Sequence, residues 1–344
     1  MTVSCTAALL LVVGLYAVRP SSANARMMIW NVCLTENTGH RIAGSGTGTF
    51  PAVYMVMQAH HSSSADEETR RMADDVVAPY NEMLRVYVEN GAIGLFLCSV
   101  FAVLLFGNLH RSHTKDGACT GIFALVAFFV FSQFSYPLSV PSVFLPFVAL
   151  VAADVQGEMR LSALSKSVRA VRYAAISMLL ALCCLFAMRI GVHRQLSSYS
   201  RLEAEEALAN NALQRWLLMH DSHLLTRCLQ LQMLVGDYEE ALPLQLRQLQ
   251  YVNNTQQQMN LARTYEAMGD SQNALIHYRQ AQAMRPGLLE PLFAELQILQ
   301  QTDTLSALAM ARQIVRTNPK IRNNQTDAMK AGASKFIHQT TTLP

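Results

Sequence analysis

Gly91-Ala92-Ile93-Gly94-Leu95-Phe96-Leu97-Cys98-Ser99-Val100-Phe101-Ala102-Val103-Leu104-Leu105-Phe106-Gly107 decides the fold, because these 17 residues carry no charge. As a helix rising ~1.5 Å per residue, they come close to the ~30 Å hydrocarbon core of a bilayer. Working outward, similar apolar runs occupy 118–134, 140–153 and 173–188. Pro141 and Pro146 in the third run are tolerable in a membrane helix when neighbours satisfy the freed carbonyls. Apolar residues make up 51% of the chain and charged residues 15%, well under the ~25% charged fraction of soluble domains. The expected fold class is all-α: a polytopic transmembrane helix bundle, with four helices across 91–189, followed by an α-solenoid tail.

Lysine and arginine in short loops set orientation. The loop 108–117 carries Arg111 and Lys115; the loop 156–172 carries Arg160, Lys166, Arg169 and Arg172 against Glu158. Both belong on the cytoplasmic side, which places 19–90 and everything after Arg189 on the opposite side. The first apolar run, 6–18, is short. It reads as a transmembrane helix or its remnant within 1–18, or as a signal-peptide core followed by the cleavage-like Ala23-Asn24-Ala25. A net charge of +3 without a basic, aromatic-interleaved stripe excludes nucleic acid as a partner. Cysteine spacing suggests neither zinc nor redox chemistry. Cys33 and Cys228, in the more polar segments, are the one pair open to bridging.

The tail contains an internal repeat. Leu261, Ala262, Tyr265, Gly269, Ala274, Tyr278, Ala281 and Pro286 occupy the small and large positions of a tetratricopeptide helix pair. Gly236-Asp237 and Ala241 precede Gly269-Asp270 and Ala274 by 33 residues, and Ala307 and Pro319 follow Ala274 and Pro286 by the same interval. A repeat of this period implies stacked helical hairpins, expected over 190–337 with a disordered end at 338–344. Such a solenoid is a scaffold for a protein partner.

The segment 19–90 is too long for a connector. Arg26 is a lone cation before Met27-Met28-Ile29-Trp30. In Gly44-Ser45-Gly46-Thr47-Gly48-Thr49-Phe50, alternating glycines allow a backbone to approach a ligand or make a tight turn before a helix starting near Pro51. No strand–helix context supports a nucleotide loop. Residues 65–75 read as a solvated charged helix face. Asn81, Arg85 and Glu89 fall at i, i+4 and i+8 and make one polar stripe on a helix entering the bilayer. His60 and His61 read as a surface pair, and no carboxylate cluster has metal-ligand spacing.

In this order and spacing the residues resemble the O-antigen ligase and O-antigen polymerase superfamily, in particular Bacteroidetes members with a C-terminal tetratricopeptide tail. Ala25-Arg26-Met27-Met28-Ile29-Trp30 resembles that family's Gly-Arg…Ile-Trp entry to a large periplasmic loop. The glycine-rich stretch with Tyr54 and Gln58 is similar to its counterpart there. Asn81-Glu82-Met83-Leu84…Glu89-Asn90-Gly91-Ala92-Ile93-Gly94 resembles the His-Asn-Glu-Tyr-Leu…Glu-x-Gly-Ile-x-Gly signature. Ser135-Tyr136-Pro137 also fits, as do Ala283-Met284-Arg285-Pro286 and Pro291-Leu292-Phe293. Two features depart from the pattern: Tyr80 stands where the family has histidine, and one short apolar run precedes the loop where the family has many helices. The chain therefore looks like the C-terminal part of such an enzyme.

The resemblance implies an inner-membrane, multi-pass protein with loop and tail in the periplasm. It implies glycan transfer from an undecaprenyl-pyrophosphate donor to lipid A-core, or to a second lipid-linked glycan in a polymerase. Arg26, Glu82 and Glu89 are the implied catalytic residues. Arg26 binds the diphosphate through its fork, and a glutamate deprotonates the acceptor hydroxyl. Tyr80, Asn81, Arg85, Gly46 and Gly48 are the implied substrate contacts, with no metal or other cofactor. Partners are the donor glycan, the acceptor, membrane lipids and a protein held by the repeats. The competing reading is a non-enzymatic, membrane-anchored tetratricopeptide scaffold.

Overall fold

The long apolar run lies in a helix that is broken near its start, and the break organises the residues around it. The computed structural model describes residues 19–113, 120–156 and 236–341, with positions 190–191, 194, 225–226, 229–230 and 232–233. The apolar runs at 6–18 and 173–188, the charged loop 156–172 beyond its first residue, and Cys228 lie outside the described residues. In chain order the helices are α1 (Pro20–Thr35), α2 (Phe50–Ser64), α3 (Glu67–Met72), α4 (Glu82–His113), α5 (Thr120–Ser132) and α6 (Pro141–Gln156). They continue with α7 (Tyr238–Gln248), α8 (Thr255–Ala267), α9 (Ser271–Met284), α10 (Leu289–Thr302), α11 (Thr304–Arg316) and α12 (Asn324–Thr341). Among the described residues every regular element is helical, in accord with the all-α expectation.

Within α4, Glu82–Gly107 spans 26 residues at a mean hydropathy of 2.1. Among the described residues it is the one helix long and apolar enough to cross a membrane. Phe96, Phe101 and Val103 are 66–70% exposed, so this stretch presents its side chains to the surroundings rather than to a protein core. Helix α5 is also apolar but has 13 residues, short of a span.

Gly91 interrupts α4 with φ 65 and ψ −165, a conformation essentially restricted to glycine. In an unbroken helix the amides of Ala92 and Ile93 would donate to the carbonyls of Val88 and Glu89. Here Ala92 donates to the Arg41 carbonyl (2.8 Å) and Ile93 to that of Ile42 (3.2 Å). The freed carbonyls accept from Ser45 (3.0 Å to Val88) and Gly46 (2.8 Å to Glu89). Two intrahelical bonds are thus replaced by four to the segment 41–46, and no buried backbone group is orphaned by the break. The approach is very close. A Cβ on Gly44 would sit 2.3 Å from the Glu89 carbonyl group, and one on Gly91 would sit 2.1 Å from the Ile42 oxygen.

The chain divides into two compact units. The first contains Met1–Cys98, Val130–Ser139 and Asn253–Pro344. Its core joins Ile29, Val32 and Cys33 of α1, Phe50, Tyr54 and Met55 of α2, Val88 of α4 and Met284 of α9. The C-terminal part of this unit is a series of packed helices. Between α8 and α9 the buried Ala262, Ala274 and Ala281 allow close approach around Tyr278, and Gly269 makes the turn at φ 82. Leu292, Leu296, Ala307, Ala311 and Ile314 fill the next layer. The side chains of Asn254, Asp270 and Asp303 cap α8, α9 and α11 by accepting from amides two or three residues on, each cap adding ~1 kcal/mol.

Helix α12 runs on to Thr341, past position 338 where the sequence suggests a disordered end. Phe336 and Ile337 pack on the last core layer, and the hydroxyls of Thr340 and Thr341 bond back to the carbonyls of Phe336 and Ile337. In the second unit (Ser99–Phe129 and Val140–Val252), Phe128 of α5 stacks on Phe147 of α6 at 3.9 Å between centroids, and Asp237 caps α7.

Replacing Gly91 with Ala should cost ~3 kcal/mol or more, since it combines the backbone penalty with a direct clash. Gly48→Ala, at φ 80 but with open space around it, should cost only ~1–2 kcal/mol. Thermal unfolding of the two variants in detergent measures the contrast; equal effects would contradict the packing account.

Candidate functional site

The residues singled out in sequence converge from three segments of the first unit. Arg26 and Trp30 are one helical turn apart on α1, so both face the Pro79-Tyr80 corner. The Trp30 indole donates to the Pro79 carbonyl at 2.9 Å. The Arg26 guanidinium lies over the Tyr80 ring, 5.3 Å from its centroid, a cation–π contact. Tyr80 has φ 53, a left-handed backbone that is costly for an aromatic residue and unique to it among the described non-glycine residues. Tyr80 also meets the Tyr136 ring, tilted by 60° at 5.7 Å.

The start of α4 is tied to the same 133–139 turn. Asn81 caps the helix by accepting from the Leu84 amide (3.1 Å), and its own amide donates to Gln133. Glu82 is 1% exposed; its Oε1 accepts from the Leu138 amide at 3.0 Å. Arg85 Nε lies 3.1 Å from Glu82 Oε2, and its Nη1 donates to the Ser139 hydroxyl. That ion pair lacks hydrogen-bond alignment, since Oε2 is buried without a hydrogen-bond partner. A buried carboxylate oxygen left unbonded is an uncommon feature that a bound hydroxyl would satisfy.

Other predicted residues have different partners. Glu89 is buried and accepts from the Phe50 amide at 3.3 Å, which places its charge at the positive N-terminus of α2. The Asn81, Arg85 and Glu89 stripe therefore divides: the first two face the 133–139 turn and the third holds α2. The glycine-rich stretch is not arranged as an anion cradle. The amides of Ser45 and Gly46 are committed to the helix break, and the Gly46 carbonyl accepts from Thr49. Gly48 supplies a positive-φ turn before α2. Tyr54 donates to Gln58, whose amide bonds the carbonyls of Met284 (2.8 Å) and Asp74 (3.0 Å). Burial raises the Tyr54 pKa well above its ordinary value, so it acts here as a neutral donor.

A cavity of about 280 Å³ opens beside Arg26 and Tyr80 and is also lined by Gln58, Asp74, Asp75 and Lys320. Three of these, Asp74, Asp75 and Lys320, belong to a clamp that sequence reasoning missed. Asp74 pairs with Arg285 (2.9 Å) and Lys320 (2.8 Å), and Asp75 pairs with Arg285 (3.3 Å) and accepts from the Thr255 amide (3.1 Å). The charged stretch 65–75 is thus a solvated helix only through Met72. Its last two carboxylates join the loop to the start of α8, the end of α9 and Lys320. The available signal was Arg285, which stands before Pro286 where helix α9 must end.

His60 and His61 likewise share a partner the sequence does not suggest. Both ring Nδ1 atoms contact Glu36, at 2.6 and 3.0 Å. Burial works to raise the Glu36 pKa, but the hydrogen bonds from His61 and His60 hold it below its usual value. Among the described residues no cluster has metal-holding geometry. Cys33 is a free thiol whose burial pushes its pKa up to about 12.

Two measurements follow. Partial burial works against the charge on Asp74, but Lys320 and Arg285 outweigh it and lower its pKa. The stabilisation is therefore present above the unfolded-state value of ~3.9 and is lost as pH falls through the lower folded value. Asp74→Asn should reduce stability by about 1 kcal/mol at pH 7, a modest figure for a half-exposed group, and should converge with wild type only once the pH falls below the lowered folded value. Maleimide labelling of Cys33 should be slow in the folded chain at pH 8 and fast in denaturant; fast native labelling would contradict its burial. No protein family, curated protein or solved structure matches this chain.

Proposed function

We propose that this chain acts as a membrane glycosyltransferase of O-antigen ligase type. It would transfer a glycan from undecaprenyl pyrophosphate to lipid A-core at the periplasmic face of the inner membrane. The observation carrying this reading is the convergence of Arg26, Tyr80, Asn81, Glu82 and Arg85 at the head of the apolar helix, with Tyr80 held in a strained backbone. Arg26, Asn81 and Glu82 stand at positions where the sequence resembles that family, and Tyr80 stands where the family has histidine. Strain maintained by its surroundings is typical of functional sites.

In the proposed reaction the acceptor hydroxyl oxygen attacks the anomeric carbon as the bond from that carbon to the diphosphate oxygen breaks. Undecaprenyl pyrophosphate leaves with the bonding electron pair, and the acceptor proton passes to Glu82 Oε2. Arg26 lines the cavity and supplies a delocalised cation for the diphosphate. Tyr80 positions that guanidinium through the cation–π contact. Arg85 and the Leu138 amide hold the carboxylate, and Asn81 caps α4 and ties its start to Gln133. Glu89 acts through α2, and Gly46 and Gly48 shape the loop. The remaining apolar runs complete a polytopic bundle, and α8–α12 are read as tetratricopeptide-type hairpins that hold a protein partner. The same geometry serves a polymerase, with a lipid-linked glycan as acceptor.

The alternative is a non-enzymatic membrane-anchored scaffold. It is favoured by Tyr80 in place of histidine, with its ring already in contact with Arg26 and Tyr136. Lipopolysaccharide banding in a deletion strain complemented by this chain separates the readings. Restored banding that is lost at least ~10²-fold on Glu82→Gln, a typical general-base contribution, and reduced on Arg26→Ala supports transfer. Banding unchanged by both substitutions refutes it.

A further inference from the structure

A second cationic site lies on α3 and α11, apart from the Arg26 corner. Arg70 and Arg71, in the last turn of α3, share a cleft of about 710 Å³ with Arg312 and Arg316, one turn apart on α11. The volume falls within the ~300–1,000 Å³ of small-ligand sites. Glu67 is the one carboxylate in the lining. All four arginines are exposed, and none makes an ion pair or side-chain hydrogen bond among the described residues. Like charges one turn apart repel, and placing a second arginine pair across the cleft adds to the cost. The tail has other arginines that avoid this arrangement: Arg263, Arg279 and Arg285 each have a carboxylate partner.

The rest of the lining is polar. Gln282 donates its Nε2 to the Pro286 carbonyl at 2.8 Å, which leaves its Oε1 buried and without a hydrogen-bond partner. That oxygen is an acceptor at the edge of a cationic cleft, complementary to a hydroxyl. Guanidinium forks match phosphate oxygens bidentately and remain charged at all physiological pH values.

We infer that this cleft binds a ligand bearing two phosphate groups, one held by Arg70 and Arg71 and the other by Arg312 and Arg316, with Gln282 accepting from a ligand hydroxyl. The shared chemistry is paired phosphates, from a soluble diphosphate or from a phosphorylated lipid headgroup. The inference does not depend on the transferase reading, because none of these residues belongs to that site.

The full chain in detergent would be titrated calorimetrically with inorganic diphosphate in one arm and with dihexanoyl phosphatidate in the other. Saturable binding in either arm, weakened at least ~10-fold by R312Q/R316Q, is expected, and the responding arm identifies the source. R312K/R316K should recover only part of the affinity, since lysine keeps the charge but not the fork. Arg322→Gln, outside the cleft and paired with Asp327, should leave binding unchanged while removing one charge. The inference is overturned by no saturable binding in either arm, by equal binding in R312Q/R316Q, or by an equal loss in Arg322→Gln. Saturation by an acidic peptide but by neither phosphate probe also overturns it.

Discussion

The break at Gly91 is the constraint on which the first unit depends. A helix break packed closely against another segment cannot leave two carbonyls and two amides unpaired, because each lost backbone hydrogen bond away from water is costly. The segment 41–46 meets that demand by lying against the break and completing it with four backbone bonds. Once this segment is fixed, Phe50 begins α2 with Glu89 at its N-terminus, and α2 carries Tyr54 and Gln58 to the end of α9. The first unit is therefore built outward from one irregular point on the apolar helix.

That construction also positions the proposed site. Pro79 and Tyr80 sit immediately before α4, so whatever fixes the helix fixes them. Trp30 and Arg26 then dock α1 against the corner. The 133–139 turn closes it through Asn81, Glu82 and Arg85. The cluster is thus held by three chain segments, which is how a strained backbone at Tyr80 persists. Preorganisation of this kind is what a transferase without a metal would require, since charge must already be in place when the diphosphate departs.

Much of this was legible in the sequence because it rests on local rules. The uncharged run 91–107 marks the apolar helix, and Gly269-Asp270 marks the turn between α8 and α9. The glycines were visible but their work was not. Gly44 and Gly91 are required by contact between segments more than 40 residues apart, and no local pattern records which backbone comes near which. The same limit hid the Asp74 and Asp75 clamp and the Glu36 contact with the two histidines. In each case a carboxylate finds its partner by tertiary approach, so a charge run and a surface histidine pair were the readings available. The end of α12 was missed for a similar reason: Phe336 and Ile337 stabilise it only once the preceding helices supply a surface.

The account's central claim is that the Arg26 corner contacts a lipid-linked glycan. Met27 is half exposed beside it, which suits a photocrosslinking amino acid at that position in the native host. Irradiation followed by mass spectrometry of the purified chain should find an adduct carrying undecaprenyl diphosphate and glycan, diminished when Arg26 is also replaced. Adducts to proteins alone, with none bearing a lipid-linked glycan, would contradict the account.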